Sequence, residues 1–502
     1  MDLTASWLLT MADDYPADRI DIRTDLTDGI VTDRSPSETT SSSASSSAAA
    51  ATPTKRSPAS VLTRVPISSP LQPTFRWLYV VDAIGLFATM IVIALVRYGS
   101  EWPTYPMSHY MTGFSIATII HMLIYYFGGL YDREHRLGSR QWLPKASGLT
   151  LVAVLLDSVV AFATDRYLMP RLNLVALLVI ASLLLAFNRW LAHSLRVARF
   201  GQPRVLLVGT PDDIGLAETH LADSDRDAII TGRASESDDL LEAIESTKAT
   251  DVLLLSGGAL DRIYPDPLEA LEIRLIGVYH RLSPSDTLLG VPRSRQIAGM
   301  PFVALRSHAL SASKVHFKRT LELIYLLLLS PIVLVLVGLI SLYVRAVAGK
   351  GVFFRQERVG RYGHPFTIVK FRTMYHGAED VTGPTLAEAD DVRVIRALNW
   401  LRNTRLDELP QFWNVLKGQM CIVGPRPERP ELAIQFEELI PGYSRRHDIA
   451  PGVTGLAQVN GRYHTDPGYK LGHDLQYLVN WSPVLDVQIM LRTVWVILAR
   501  RT

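Results

Sequence analysis

Cysteine is almost absent from the 502 residues: a lone Cys421 excludes an intrachain disulfide and any cysteine metal cluster. An excess of one charge is absent as well. Lys and Arg number 51 against 49 Asp and Glu, a formal net charge of +2, which gives no bulk pull toward nucleic acid. Charged residues make up only 20% while hydrophobic residues reach 48%, and mean hydropathy is +0.16. A soluble enzyme of this size seldom has a positive value, so composition points to a membrane protein with sizeable soluble parts. The missing disulfides agree with soluble parts in a reducing compartment. The length predicts about three domains.

The chain opens on a tail. Residues 1–74, almost all Ser, Thr and Ala over 35–51, bury too little apolar surface to offset chain entropy and are expected to be disordered. Nothing in the tail resembles a signal peptide. Four apolar runs follow, 77–96, 111–130, 147–163 and 173–191. Each is near the ~20 residues that span a bilayer core, which predicts a four-helix transmembrane region over 75–200. Lys55, Arg56, Arg64 and Arg76 precede the first run. Arg133, Arg136, Arg140 and Lys145 lie in the second loop, and Arg189, Arg196, Arg199 and Arg204 close the fourth run. The first loop has only Arg97 at its edge, and the third has only Arg166 and Arg171. This bias places the N-terminus, the second loop and everything after the fourth helix in the cytoplasm. Asp82, His121 and Asp157 sit inside the runs. Three scattered groups without a paired counter-charge make a thin relay, so interhelical hydrogen bonds or positions near helix ends are preferred over a transport path.

Residues 201–300 alternate short β-rich runs (Arg204–Val208, 251–255, 274–279) with helical ones (211–222, 237–247), which predicts a Rossmann-like α/β domain. A dinucleotide site wants G-x-G-x-x-G after the first strand, but only Gly209 fits; Pro211 and Ile214 hold the other two glycine positions. Pro211 has no N–H for a pyrophosphate, so a structural or assembly role is preferred over nucleotide binding. A fifth apolar run, 323–344, is interrupted by Ser330-Pro331. Sequence physics leaves a kinked spanning helix and a re-entrant hairpin both open.

Three later segments carry chemistry. Residues 365–374 read as a strand, whose alternation puts Lys370 and Arg372 on one face roughly 7 Å apart, a spacing that suits a diphosphate or a solvated strand face. Asp407-Glu408-Leu409-Pro410-Gln411 reads as the start of a short helix stopped at Gly418, with Asp407 as its natural N-cap. The two acids are either caps, which the local pattern favours, or a metal ligand and a nucleophile facing phosphate. Val423-Gly424-Pro425-Arg426-Pro427-Glu428 is a rigid turn presenting one guanidinium, the group suited to bidentate phosphate contact. The run Pro483–Leu498, with Trp481, Trp495 and the closing Arg500 and Arg501, suits either an interfacial helix or an ordinary core helix.

Taken together these segments resemble the bacterial sugar transferase family, the monotopic polyprenyl-phosphate sugar-1-phosphate transferases. The resemblance runs from residue 318 to the C-terminus. It rests on Lys318-Arg319, Ser330-Pro331, Phe353 to Gly360, Lys370-Phe371-Arg372-Thr373-Met374, Leu406 to Gln411, Val423 to Glu428, Pro451-Gly452-Val453-Thr454-Gly455, Trp481-Ser482 and Asp486. The whole resembles the large members, with four transmembrane helices, a Rossmann-like domain and a catalytic domain over 314–502. The resemblance implies a re-entrant membrane helix at 320–347, with Ser330 and Pro331 as its structural break. It implies transfer of a hexose-1-phosphate from a UDP-hexose to polyprenyl (undecaprenyl) phosphate with release of UMP, the first membrane step of exopolysaccharide or O-antigen assembly. By the same resemblance Asp407 attacks the β-phosphate and forms a covalent phosphosugar, with Glu408 as its partner. Asp407 and Glu408 also face Mg²⁺. Lys370, Arg372, Arg402 and Arg426 hold phosphate oxygens, and Glu428 joins them in the substrate site. A bacterial plasma (inner) membrane location, a cytoplasmic catalytic domain and a homodimer are implied as well. Three positions depart from the family pattern. Glu322 replaces an Asp and keeps its charge, so it is expected to be tolerated. Gln419 replaces an Asp and loses a carboxylate, and Ala457 replaces a Trp. The loss at Gln419 leaves a catalytically weak scaffold as the competing reading, against which the intact Asp407, Glu408 and Arg426 argue.

Overall fold

The computed structural model describes residues 73–499 apart from 133–135, 139, 164–170, 225–227, 236–238, 257–262, 266, 285, 287–293, 298, 306–309, 376, 378–392 and 462–465. The expected tail lies outside them but for its last two residues, as do Arg133, Arg166, Arg500 and Arg501.

The first apolar runs form α1 (Pro73–Tyr98), α2 (Met107–Phe127), α3 (Trp142–Ala163) and α4 (Arg171–Phe200). They pack around Leu86, Met90, Phe114, Tyr125, Leu177 and Leu185, and the buried Ala117, Ala146 and Ala181 let the backbones approach closely. The outer faces stay apolar: Ile84, Val96, Phe162 and Leu183 are exposed. All four helices are long and apolar enough to cross a bilayer. The polar residues inside them make the interhelical contacts expected, and Asp82 gains a counter-charge as well. Asp82 is fully buried between Arg189 (2.7 Å), Asn188 (2.8 Å) and the Tyr131 hydroxyl (2.8 Å). Asp157 lies 3.3 Å from His121. Hydrocarbon offers no competing partner, so the Asp82 cluster fixes the mutual rotation of α1 and α4.

The second loop is built into the rest of the protein. Asp132 accepts from the Ser313 hydroxyl (2.8 Å), and Arg136 donates to the Thr250 carbonyl (3.0 Å). Leu137 is buried in the core of the middle domain.

That domain comprises β1 (Arg204–Val208), α5 (Pro211–Ser224), β2 (Ile229–Ala234), α6 (Leu240–Thr247), β3 (Asp251–Leu254), α7 (Leu268–Ile273), β4 (Gly277–Arg281), β5 (Arg295–Ile297) and β6 (Met300–Leu305). The sheet order is β2-β1-β3-β4-β6-β5; β1 to β4 run parallel, and β6 pairs antiparallel with β4 on one side and β5 on the other. The strand expected at 274–279 begins at 277, because Arg274 caps α7 and Leu275 turns the chain with φ 60°. At the β1–α5 turn, Pro211 opens the helix and Asp212 and Asp213 fill its first turn. Asp213 is held by Thr210 (2.8 Å) and Arg281 (2.7 Å). Two carboxylates at a helix N-terminus repel a pyrophosphate, which favours the structural role for this turn.

α8 (Ala312–Ala348) is then helical over all 37 residues, Pro331 included, where the sequence leads one to expect a kink. Pro331 lacks the N–H that would bond the carbonyl of Leu327, and the Ser330 hydroxyl donates to that carbonyl instead (2.8 Å). Leu326 packs with Phe366 and Ile368; Ile340 and Val344 pack with Phe371, Leu398 and Leu401. Between them Leu327, Leu328, Leu334 and Val335 are all exposed.

The final domain holds the hairpin β7 (Phe353–Val359) and β8 (Pro365–Phe371), then α9 (Asn399–Asn403), α10 (Phe412–Leu416), β9 (Cys421–Val423), α11 (Pro430–Leu439), β10 (Gly452–Thr454), α12 (Leu456–Asn460), α13 (Pro467–Asn480) and α14 (Pro483–Leu498). α14 buries Asp486 and Ile489 and exposes Val484, Leu491, Val494, Trp495 and Leu498 along one face. The domain meets the middle one where the Arg445 guanidinium stacks on Tyr264 (4.7 Å).

The Asp82–Arg189 pair yields a test of the bundle. Removing one partner of a buried pair strands the other, at a cost of about 3–5 kcal/mol. Asp82→Ala is expected to lower the unfolding midpoint in detergent strongly, and adding Arg189→Met to recover most of the loss. An Asp82→Ala protein as stable as the parent would refute the pairing.

Candidate active site

The acidic pair sits on Leu406–Gln411, a 3-10 turn entered through Arg405, a non-glycine residue in the left-handed region (φ 59°). Leu406 and Leu409, three apart and so on one face, pack against Phe371, Leu398 and Leu401, which leaves Asp407 and Glu408 on the other faces. The N-cap role expected of Asp407 is corrected here. Arg405 occupies the cap position, no side chain caps the turn, and α10 starts only at Phe412.

Glu408 is buried, and three cations converge on its Oε1: Lys370 Nζ at 2.7 Å, Arg405 Nη1 at 3.7 Å and Arg426 Nη2 at 3.8 Å. Burial opposes its charge, but Lys370, Arg426 and Arg405 outweigh burial and hold the carboxyl down at about 2. Asp407 is displaced the other way. Burial first, and the Glu408 charge second, push its carboxyl up to about 6 against the pull of Lys370, Arg402 and Arg405. Its Oδ1 is buried and takes no hydrogen bond from a described residue. Near neutral pH the turn therefore holds one fully compensated carboxylate beside a second, more basic one with an open oxygen. That is the condition of an activated nucleophile.

The structure brings together Asp407, Glu408, Lys370, Arg402 and Arg426. Arg372 stands one residue past the end of β8. Its described contacts are at the base of α8: its backbone N–H donates to the Val352 carbonyl (2.9 Å) and its guanidinium to the Ala348 carbonyl. Glu428 is also turned elsewhere, accepting from Arg446 (3.4 Å). Arg405 escaped the sequence reading, since nothing local announces a left-handed arginine. Cys421 is excluded as a competing nucleophile, because burial pushes its thiol far up. Among the described residues no three His, Cys, Asp or Glu side chains gather as a metal site. Mg²⁺ needs fewer when a substrate supplies phosphate oxygens. The open Asp407 Oδ1 and the Glu408 Oε2, which no described contact uses, fit that need.

Residues 312–500 match the model of a family described as bacterial sugar transferase. Curated relatives include the UDP-glucose:undecaprenyl-phosphate glucose-1-phosphate transferase of Klebsiella pneumoniae, 38% identical over 47% of this chain and 54% of that protein. The Caulobacter vibrioides protein of the same name is 40% identical over 35% of this chain and 68% of its own length. The uncharacterized sugar transferase EpsL of Bacillus subtilis is 42% identical over 30% of this chain and 72% of its own length. This chain belongs to the bacterial sugar transferase family. It spans about half the length of the first relatives it matches, 54% and 45%.

Within the sugar transferase domain the departures from the family pattern find partners. Glu322 lies 3.0 Å from Lys318 and accepts from the Ile422 N–H (3.2 Å). Lys318 reaches Asp486 (2.8 Å), which also accepts from Tyr477 and Trp481, so this buried set ties α8 to α13 and α14. Gln419 accepts from Asn414 (2.9 Å), whose side chain also bonds Val369 and Thr367 of β8. Ala457 is buried in α12.

The two carboxyls should affect stability with opposite signs. Asp407 is shifted above its ordinary 3.8, so its ionisation costs stability as pH rises through about 6. Glu408 is shifted below its ordinary 4.5, so it contributes stability above that value, lost as pH falls toward about 2. At about pH 7.5, Asp407→Asn is expected to melt at or above the parent temperature and Glu408→Gln lower by about 4 °C or more. Thermal unfolding of the two variants checks this, and the reverse order would contradict the charge assignment.

Proposed function

We propose that the protein transfers a hexose-1-phosphate from a UDP-hexose to polyprenyl phosphate, by way of a covalent phosphosugar on Asp407. What carries this reading is the open, basic Asp407 carboxylate set among Lys370, Arg402, Arg405 and Arg426 beside a neutralised Glu408. Phosphoryl transfer asks for positioning and charge compensation rather than elaborate proton transfer. An Asp407 oxygen attacks the β-phosphorus. The bond to the bridging oxygen breaks, and UMP leaves with the electron pair. A polyprenyl phosphate oxygen then attacks the same phosphorus, the acyl phosphate bond breaks, and the Asp407 carboxylate returns. Mg²⁺ held by Asp407, Glu408 and the diphosphate would screen the approach of carboxylate to polyanion. Arg402 and Arg426 bind phosphate oxygens, while Lys370 and Arg405 keep Glu408 ionised without repelling the substrate.

The membrane geometry follows the same reading. α8 enters the bilayer and returns on the side it came from. Leu326 before Pro331, and Val337, Ile340 and Val344 after it, all pack on the catalytic domain. A bend at Pro331, where the missing N–H loosens the helix, brings both legs back to one face of the membrane. The exposed apolar face of α14 lies in the interface beside it. The catalytic and middle domains face the cytoplasm of the bacterial inner membrane, in keeping with the loop charges. The lipid phosphate then arrives at the depth of Asp407.

The deciding experiment is UMP release by the detergent-solubilised protein with undecaprenyl phosphate, Mg²⁺ and a panel of UDP-sugars. Release with one donor is expected, lost by about 10³-fold or more in Asp407→Asn. The acid limb of kcat/KM should lie near pH 6 and move lower in Glu408→Gln, because the Glu408 charge raises the Asp407 carboxyl. No release with any donor from folded protein would defeat the reading. Membrane sidedness has its own test. With Cys421 buried, Lys248→Cys and Lys350→Cys provide single labelling sites in the middle domain and just past α8. Both should react with an impermeant maleimide only in inside-out vesicles; labelling from opposite sides would make α8 a spanning helix.

A further inference from the structure

The turn that presents Arg426 is fastened at four successive carbonyls. The Gly452 N–H donates to Pro425 O (2.8 Å), Arg446 Nη2 to Arg426 O (3.2 Å), Arg358 Nη1 to Pro427 O (3.2 Å) and the Val359 N–H to Glu428 O (2.9 Å). Of these donors, Arg446 also grips the turn through its side chain elsewhere. Arg446 Nη1 reaches the Glu428 carboxylate (3.4 Å) and the Tyr443 hydroxyl, and Nη2 lies 2.7 Å from Asp474. The guanidinium is 1% exposed, on the buried turn Tyr443–Asp448. A desolvated cation between two carboxylates is held in one orientation, and only a planar fork can serve the carbonyl and both acids together.

We propose that Arg446 is a positioning residue of the transferase site, acting through Arg426. It holds the carbonyl of Arg426 and the side chain two residues on, and so fixes the direction in which the Arg426 guanidinium leaves the turn toward Glu408, 3.8 Å away. Glu428 thereby serves as part of the mount rather than as a substrate ligand. The inference rests on the transferase reading above. It adds a residue outside the cation ring whose effect on turnover depends on what stands at 426.

A merely structural arginine would lower activity by the same factor whatever residue 426 is, whereas a positioning residue would not. Arg446→Lys keeps the charge opposite Asp474 and loses the fork. In the parent it is expected to cut kcat/KM for the UDP-sugar about tenfold, since small misplacements of a binding group cost that much. In an Arg426→Lys background, where no planar group remains to be aimed, the same change should cost less than about threefold. Tyr443→Phe removes one acceptor of Arg446 while keeping every charge, and it is read through the same cycle if Arg446→Lys does not fold. Equal losses in both backgrounds, or no loss in the parent, overturn the inference while leaving the transferase reading intact. A parent that releases no UMP overturns both.

Discussion

The Lys370–Glu408 ion pair is the contact on which the rest of the site depends. Two adjacent carboxyls on a tight turn cannot both ionise in a buried place unless one charge is cancelled. Lys370 cancels it at 2.7 Å, supported by Arg405 and Arg426 at 3.7 and 3.8 Å. With Glu408 neutralised, the remaining cationic field of Arg402 and its neighbours is available to a substrate, and Asp407 keeps a basic oxygen. Lys370 can do this because β8 carries it and Asn414 sutures β8 to α10 directly after the acidic turn. Strand, turn and helix thus converge on one charge balance.

The rigidity of that balance comes from backbone held by side chains. Arg319 of α8 donates to the carbonyls of Val415 and Leu416 at the end of α10 (2.6 and 2.8 Å), and Arg372 donates to the carbonyl of Ala348 at the end of α8. Each guanidinium satisfies carbonyls that a helix terminus leaves open. Each also joins the membrane helix to the catalytic domain, one at either leg. Arg372, which sequence alone would assign to phosphate or to a solvated face, thus helps to fix the apolar helix.

The legibility of these features in the sequence follows from their range. The apolar runs were plain, because burial in lipid demands some twenty apolar residues in a row whatever the neighbours. The Asp407, Glu408, Lys370 and Arg426 set was visible as a family resemblance. What local pattern could not carry was orientation. Strand alternation pairs Lys370 with Arg372 only while the strand lasts, and β8 stops at Phe371. Asp407 looked like a cap because an Asp before a proline-containing turn often is one, yet the chain adopts a 3-10 turn after a left-handed Arg405, a conformation set by tertiary packing. The partner of Asp82 lies 107 residues away in Arg189, beyond the reach of any periodicity argument. Ser330-Pro331 leaves a kinked spanning helix and a re-entrant hairpin both open; the helix continues through it, with the serine hydroxyl on the carbonyl that the proline abandons.

One short loop turns these local solutions into a single machine. Tyr131 closes the Asp82–Arg189 cluster at the end of the helical bundle, and Asp132 holds Ser313 at the start of α8. Arg136 bonds the Thr250 carbonyl, and Leu137 fills the core of the middle domain. Ser313 lies five residues before Lys318, whose pairing with Asp486 seats α8 in the catalytic domain. The bundle therefore fixes the loop, the loop fixes the first turn of α8, and α8 fixes the acidic turn through Leu406 and Leu409. A lipid phosphate can move only in the plane of its membrane, so the transfer proposed above asks for a site at a set height from that plane. Each link in this chain is a buried polar or packed contact of a kind that tolerates little displacement, and the height of Asp407 is inherited from the helices that the loop closes.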